Sequence, residues 1–287
     1  MDNKKKLSVI VVSYENLEVL RGCLDSIFRF NDLNDEVEVI VVEQSREECI
    51  YDTLLSDYPW VKVIRSENKG FGAGNNVGAR IANGELFLFL NPDTALVEPI
   101  FEYAFQIHKS RPHLGMFGFR LLDSEGRKNK SFHFRKPYGI ARALVWRICD
   151  KLDIYIPQLM YIAGADMFVP SEAFWKTGGF NESMFMYFEE TFLCNRLDSL
   201  GYTTGFYPEK KIIHLEGRSS STINTLQKQV DSLRALFENN EGAFRDCLNR
   251  MCRDRRFKSF FPGRKAACLS EISLIETVLS GGDRTDE

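Results

Sequence analysis

Asp93 and the adjacent pair Glu189-Glu190 are the carboxylates whose surroundings in the sequence can do chemistry. Asp93 lies near the end of the stretch Glu-Leu-Phe-Leu-Phe-Leu-Asn-Pro-Asp-Thr, Glu85 to Thr94. Its apolar run, Leu86 to Leu90, suits a strand buried on both faces, and Pro92 cannot continue a central strand. Pairing therefore stops near Asn91 and leaves Asp93 at the carboxyl end of a strand, where open α/β sheets bind ligands. A carboxylate there suits a divalent cation, because Mg²⁺ is commonly held by one or two carboxylates plus substrate phosphates. The competing reading is an Asx-type turn closing a core strand. Glu189-Glu190 opens a helical pattern that runs to about Leu200, with Gly201 as its C′ residue. A positioned carboxylate is the usual acceptor for the proton of a reacting hydroxyl. The helix macrodipole equally favours two acids in a first turn. Adjacent helix residues do not face each other, so the two are not a cooperating dyad. The run Met184 to Phe188 before them reads mainly as core packing.

The glycine-rich block Gly70 to Gly78 fails as a dinucleotide fingerprint. Its glycines are out of G-x-G-x-x-G register, and no Walker G-x-x-x-x-G-K-[ST] occurs in the chain. A flexible loop with a helix N-terminus behind it still receives a phosphate or sugar hydroxyls, against the plainer reading of a tight strand-to-helix turn.

These groups need a scaffold, and the apolar spacing supplies one. Strands are expected at Leu7–Val12, Val37–Val42 and Val61–Ile64 ahead of the Leu86–Leu90 strand. Between them come a helix through Leu17, Leu20, Leu24, Ile27 and Phe28, a helix capped by Ser45 near Glu47-Glu48, and a helix from Val77 to Ala82. Alternation at this spacing means parallel crossovers in a wound sheet. Pro99 at N1 opens a helix to Lys109, Gly115–Leu122 is a strand, and Asp123–Gly126 a hairpin turn. Ala165–Val169 is a further strand, Ser171 caps a short helix, and Thr204–Tyr207 and Lys211–Leu215 are two short strands. From Thr222 the chain is helical, then basic, and ends in a polar tail expected to be disordered.

Composition narrows the class. The 287 residues, 44% hydrophobic and 27% charged, are those of an ordinary globular protein. A formal charge of −3 gives no reason to expect nucleic acid. Seven cysteines without a C-x-x-C pair read as reduced thiols in a cytoplasmic protein. The apolar stretch behind Lys4-Lys5-Lys6 ends at Val12, too short for a signal peptide or a span.

Four blocks then carry a resemblance. They are Val-Ile-Val-Val-Ser-Tyr (Val9 to Tyr14), Asn-Lys-Gly-Phe-Gly-Ala-Gly-Asn-Asn-Val-Gly (Asn68 to Gly78), Leu-Phe-Leu-Asn-Pro-Asp-Thr (Leu88 to Thr94), and Gly-Gly-Phe-Asn-Glu-Ser-Met-Phe-Met-Tyr-Phe-Glu-Glu (Gly178 to Glu190). Together, in this order, they resemble family 2 glycosyltransferases of the GT-A fold, in particular the rhamnosyltransferase-like branch. The resemblance implies an α/β GT-A domain over 1–220, with a nucleotide-binding half to about 95 and an acceptor half after it. A helical, basic extension follows over 221–287. It implies inverting transfer of a sugar from dTDP-rhamnose or a UDP-hexose to a glycan or polyprenyl-linked acceptor in surface polysaccharide synthesis, assisted by Mg²⁺ or Mn²⁺. By the same resemblance Asp93 and His214 hold the metal, with Asn91 at the first position of the metal motif. Ser13, Tyr14, Glu15, Glu43, Asn68, Gly70 and Asn75 meet the nucleotide and donor, Tyr14 lying against the base. Glu190 is the base, with Glu189 beside it. Glu43 stands where the family usually has Asp, and Gln44 replaces the usual Asn or Asp. Glu190 and Phe192 stand where a D-V-D pattern is usual.

Those departures keep a weak or inactive nucleotide- or glycan-binding module open as an alternative. A sugar nucleotidyltransferase would share the sheet and metal, but Ser13-Tyr14-Glu15-Asn16 is not its basic glycine-rich signature; an inert structural subunit is the remaining rival. The cations between 245 and 265, interleaved with Phe257, Phe260 and Phe261, are expected to meet an anionic membrane surface at the inner face of the cell membrane. Packing as a solvated helix on the catalytic domain is the alternative, and 136–158 is a second candidate contact.

Overall fold

Five apolar residues in a row are stable in a strand only where both of its faces are covered, and the chain is arranged to do this. The structure, a computed structural model, describes residues 4–135, 140–215, 222–238, 240–261 and 263–281. The chain begins β1 (Lys5–Ser13), α1 (Leu17–Phe30), β2 (Val37–Glu43), α2 (Glu48–Asp57), β3 (Val61–Arg65), α3 (Phe71–Ile81), β4 (Gly84–Leu90). It continues β5 (Thr94–Leu96), α4 (Phe101–Ser110), β6 (Leu114–Leu122), β7 (Phe132–Phe134), α5 (Ile140–Lys151), β8 (Met160–Ile162), β9 (Asp166–Pro170). It closes with α6 (Ser171–Thr177), α7 (Glu189–Ser199), β10 (Thr203–His214), α8 (Thr222–Leu236), α9 (Glu241–Lys258) and α10 (Lys265–Leu279).

The main sheet runs β3-β2-β1-β4-β9-β6-β10-β5. Its first four strands are parallel, β9 inserts antiparallel between β4 and β6, and β10 lies parallel to β6 and antiparallel to β5. A small antiparallel ribbon joins β7 and β8. This is the wound, mostly parallel GT-A architecture expected, with its antiparallel portion and C-terminal helices.

Side-chain alternation divides the core in two. Val9, Val11, Leu86, Leu88 and Leu90 point to the face covered by α1, α2 and α4. Ile10, Phe87 and Phe89 point to the face covered by α3, α6 and α7. On that second face Phe89 packs against Phe174 and Phe180, each at a centroid distance of 4.9 Å. The helices α8, α9 and α10 bury a cluster of their own, with Leu226, Val230, Leu233, Leu248 and Ile275 at its centre.

Several boundaries differ from expectation for physical reasons. The helix expected from Val77 begins at Phe71, so the glycine block is helix and not loop. The Ser45 hydroxyl caps no helix; it accepts the Glu15 N–H at 2.5 Å, and α2 starts without a side-chain cap. Likewise α6 has no side-chain cap from Ser171. The helix opened by Pro99 starts at Phe101. The two short strands after Thr204 are one strand, β10, irregular between Tyr207 and Lys211. The polar tail from 282 lies outside the described residues.

One buried cation ties the β7–α5–β8 region to the sheet. Arg120 of β6 is 2% exposed. It pairs with Asp150 at 2.9 Å and with Asp153, donates to Ser131 at 3.2 Å and lies 4.7 Å from the Phe206 ring centroid. Arg120→Met is expected to destabilise the protein by about 3 kcal/mol. That is the low end for a broken buried pair, because Lys128 still faces Asp153. A urea midpoint unchanged at constant m would contradict this.

Candidate active site

Three strand ends build a cleft. Ser13 ends β1 and is buried; Glu43 ends β2 and is buried beside it. The chain after Ser13 turns sharply: Glu15 takes a left-handed conformation with φ 52°, and Asn16 caps α1 by accepting the Val19 N–H at 3.2 Å. Glu43 Oε1 accepts the Ser45 N–H at 2.6 Å, and Oε2 has no partner among the described residues. Gln44 is fixed by donating to the Glu67 carbonyl at 3.1 Å. Beyond them opens a cleft of about 740 Å³ lined by Tyr14, Gln44, Arg46, Arg65, Asn68 and Phe185, among others. Tyr14 is 40% exposed there. The rings of Tyr14 and Phe185 could meet a flat ligand, and Arg46 with Arg65, the latter also paired with Glu48, could meet an anion.

The second feature is a pair. Asp93 sits in the turn between β4 and β5, and antiparallel pairing of β5 with β10 sets Thr94 opposite His214. Asp93 Oδ1 lies 3.3 Å from His214 Nε2, and the Asp93 carbonyl accepts the Leu215 N–H at 2.9 Å. His214 Nδ1 is buried without a partner among the described residues. No group of three or more His, Cys, Asp or Glu able to hold a metal occurs among the described residues. A carboxylate and an imidazole form an incomplete shell, the kind that a cation shares with a substrate's phosphates.

The acids come from the other side. Glu190 Oε1 occupies the space a side chain at 164 would need: a Cβ on Gly164 would fall 2.2 Å from it. Ala165, next along, accepts the Asn91 N–H at 3.0 Å. Glu190 and the Asp93 turn thus border the same end of β4 and β9. Burial pushes the Glu190 carboxyl up, while the N–H groups of Glu190 and Gly164 hold it back. Glu189 is pushed well above the usual carboxylate range, first by burial and then by the charge of Glu190. Its Oε1 has no partner among the described residues. Tyr187 and Phe188 precede them at φ 79° and 68°, a conformation that costs a non-glycine residue roughly 1–3 kcal/mol.

Gly70, at φ 103°, adjoins this loop, where a Cβ would fall 2.1 Å from the Phe185 carbonyl oxygen. That carbonyl accepts the Phe71 N–H at 3.0 Å, so the first N–H of α3 is already used. Asn75 does not open into the 740 Å³ cleft as expected. It is 1% exposed and donates to the Phe71 carbonyl at 3.0 Å, a bond within its own helix.

A model of the family described as Glycosyl transferase family 2 matches residues 8–155. The chain belongs to glycosyl transferase family 2. It is 27% identical over 225 residues to the O-antigen biosynthesis protein RfbC of Myxococcus xanthus, covering 75% of this chain but only 18% of that protein. It is 23% identical over 222 residues to the rhamnosyltransferase WbbL of Escherichia coli, covering 72% of this chain and 82% of that one. The fold matches that of a mannosyltransferase from Pyrobaculum calidifontis, solved with GDP-Man and Mn²⁺, with a TM-score of 0.59 at 14% identity over 98% of this chain and 80% of that one.

Sequence reasoning missed two residues that shape this candidate site. Asn76 is buried in α3 and clasps Phe180, donating to its carbonyl at 2.9 Å and accepting its N–H at 3.0 Å. Asparagine mid-helix is a weak helix former, so the Asn75-Asn76 doublet was the available signal. Gly164 carried no signal, because the reason for its lack of a side chain lies far away in sequence. Gly164→Ala is expected to displace Glu190 and lower any sugar-transfer rate about 100-fold or more. Nucleoside diphosphate affinity should hold; an unimpaired transfer rate would show that the carboxylate position is immaterial.

Proposed function

We propose that the chain is an inverting, metal-dependent glycosyltransferase that moves a sugar from a pyrimidine nucleoside diphosphate-sugar to a glycan or lipid-linked acceptor in surface polysaccharide synthesis, releasing the nucleoside diphosphate. The observation carrying this reading is the shared border of the Asp93–His214 pair and Glu190, joined through Ala165 and Asn91. Asp93 and His214 would hold the cation, and the imidazole favours Mn²⁺ of the two candidates, since Mg²⁺ prefers oxygen ligands. When bound, it neutralises charge building on the leaving nucleoside diphosphate.

The remaining roles belong to the chain's own groups. Burial raises both carboxyls, and the charge of Glu190 raises Glu189 further. Glu190, whose carboxyl lies against Gly164 beside the Asp93 turn, is the carboxylate that takes the acceptor hydroxyl's proton. The free Glu43 oxygen accepts one ring N–H, which suits a uracil or thymine imide. Guanine offers two such donors on one edge, and the second Glu43 oxygen is already taken by Ser45. Tyr14 and Phe185 flank the base, with Ser13, Glu15, Asn68, Gly70 and Asn91 shaping the donor site around it. Uracil and thymine fit this contact alike; the family resemblance ranks dTDP-rhamnose first and a UDP-hexose second.

Thermal shifts with dTDP, UDP and GDP, each with and without Mn²⁺, test the assignment. At 100-fold over Kd, about 2.7 kcal/mol of stabilisation is expected for a pyrimidine diphosphate with metal. The metal-dependent part should vanish in Asp93→Ala. Equal stabilisation by GDP, or metal independence in the native protein, would sink it.

We further propose peripheral contact with anionic lipid through α5. Leu144 and Ile148 on it, with Leu152 just past its end, form an exposed stripe, between 51% and 62% accessible, flanked by exposed Arg147 and Lys151. In the 245–265 run, by contrast, Arg250, Arg255, Arg256 and Lys258 pair with acids of the C-terminal helices. That leaves Phe257, Phe260 and Phe261 exposed as a second apolar tip. No helix among the described residues is long and apolar enough to cross a membrane. Leu144→Glu with Ile148→Glu should abolish co-sedimentation with anionic vesicles, whereas Phe260→Ser with Phe261→Ser should weaken it less. Retention by the α5 variant would place the contact elsewhere.

A further inference from the structure

The segment from Phe185 to Phe188 has three neighbours, and only two of them belong to the wound sheet and its helices. On one side the Phe185 carbonyl accepts the Phe71 N–H at the start of α3, and the Phe185 side chain lines the 740 Å³ cleft. At its end Phe188 leads directly into Glu189 and Glu190. The third neighbour is the C-terminal bundle. Ser232 of α8 is 1% exposed, and its hydroxyl donates to the Met186 carbonyl at 2.8 Å. Phe188 packs into the bundle's apolar cluster with Leu226, Val230 and Leu233. Lys228 Nζ stands 4.8 Å from the centre of the Phe185 ring.

We propose that the C-terminal bundle is a working part of the active site, with Ser232 as a positioning residue that fixes the 185–188 segment and thereby aims Glu190. The left-handed conformations at Tyr187 and Phe188 are ones that bulky residues keep only where surroundings over-determine them. Ser232 and the cluster around Phe188 supply that determination. α7 has no side-chain cap at its N-terminus, so nothing within the helix itself fixes where the acids begin. The same segment forms a wall of the donor cleft at one end and carries the acids at the other. The bundle therefore holds both in one spatial relation. A serine hydroxyl on a backbone carbonyl inside an apolar cluster is a directional contact, and its loss leaves that carbonyl without its donor. This role in catalysis rests on the function proposed above, whereas the clamp itself does not.

Hydrogen exchange and steady-state rates on the full chain test the two layers separately. In Ser232→Ala, the amides of Tyr187 to Thr191 should exchange faster while those of β1, β2 and β4 keep their protection. Transfer should fall about tenfold in kcat, with KM for the nucleotide-sugar within about twofold, because the contact acts on the acid and not on donor affinity. Ser232→Thr, which keeps the hydroxyl, should restore most of the rate. Unchanged exchange at 187–191 would overturn the clamp. Faster exchange across the whole sheet would overturn it too, as mere destabilisation. Local exchange as expected with an unaltered kcat would overturn the positioning role. If the native chain transfers no sugar while local exchange responds, the clamp stands and the enzymatic reading fails.

Discussion

The active end of this molecule depends on how closely α3 approaches its neighbours. A Cβ on Gly74 would fall 2.8 Å from Val12, one on Gly78 would fall 2.5 Å from Ile10, and one on Gly72 would fall 3.0 Å from the Phe180 Cβ. With those side chains absent, the helix lies directly on β1 and β2 and directly under the loop that carries the acids. Glycine weakens a helix by roughly 1 kcal/mol per residue relative to alanine, and here the close packing offsets that cost. Asn76 then secures the contact from within by its two bonds to Phe180. The cleft, formed by strand ends on one side and by Phe185 on the other, takes its width from this approach.

A second constraint is electrostatic. Glu43, Asp166 and Glu189 are each no more than 2% exposed, and each keeps one oxygen without a partner among the described residues. Asp166 stands opposite Leu90 in the β4–β9 pairing and accepts the Phe119 N–H at 2.6 Å. Burial drives its carboxyl well above the ordinary range, against the opposing pull of the Phe119 N–H and of Arg120. Unsatisfied buried carboxyl oxygens are costly, and a fold selected for stability alone would replace them. Their gathering at one end of the sheet fits the candidate site there.

Much of this was legible in the chain. The wound sheet followed from apolar runs of strand length separated by helical spacing, and Pro92 marked where β4 had to stop. Asp93 and His214 were paired through a family resemblance and meet because β5 and β10 are in register. What stayed hidden was whatever depends on absence or on distant partners. The glycines of α3 read as flexible when their use is to let backbone pass close. Asn75 and Asn76 looked equivalent, yet one bonds its own helix and the other a loop on the far side of the chain. Arg250, Arg255, Arg256 and Lys258 of α9 looked free for a membrane because their acidic partners lie on α10 or a turn earlier on α9.

The same covalent path joins the metal candidates to the clamp on the acids. β10 runs alongside β6 from Thr203 and ends at His214 beside Asp93. A short connection then leads to α8, whose Ser232 holds the Met186 carbonyl. The groups that would grip the diphosphate and those that aim the base are therefore anchored at either end of one stretch of chain. The bundle's apolar cluster, packed around Phe188, fixes the far end of that stretch. On this view the three C-terminal helices are held to the catalytic face by the same contacts that keep its two halves in relation to each other.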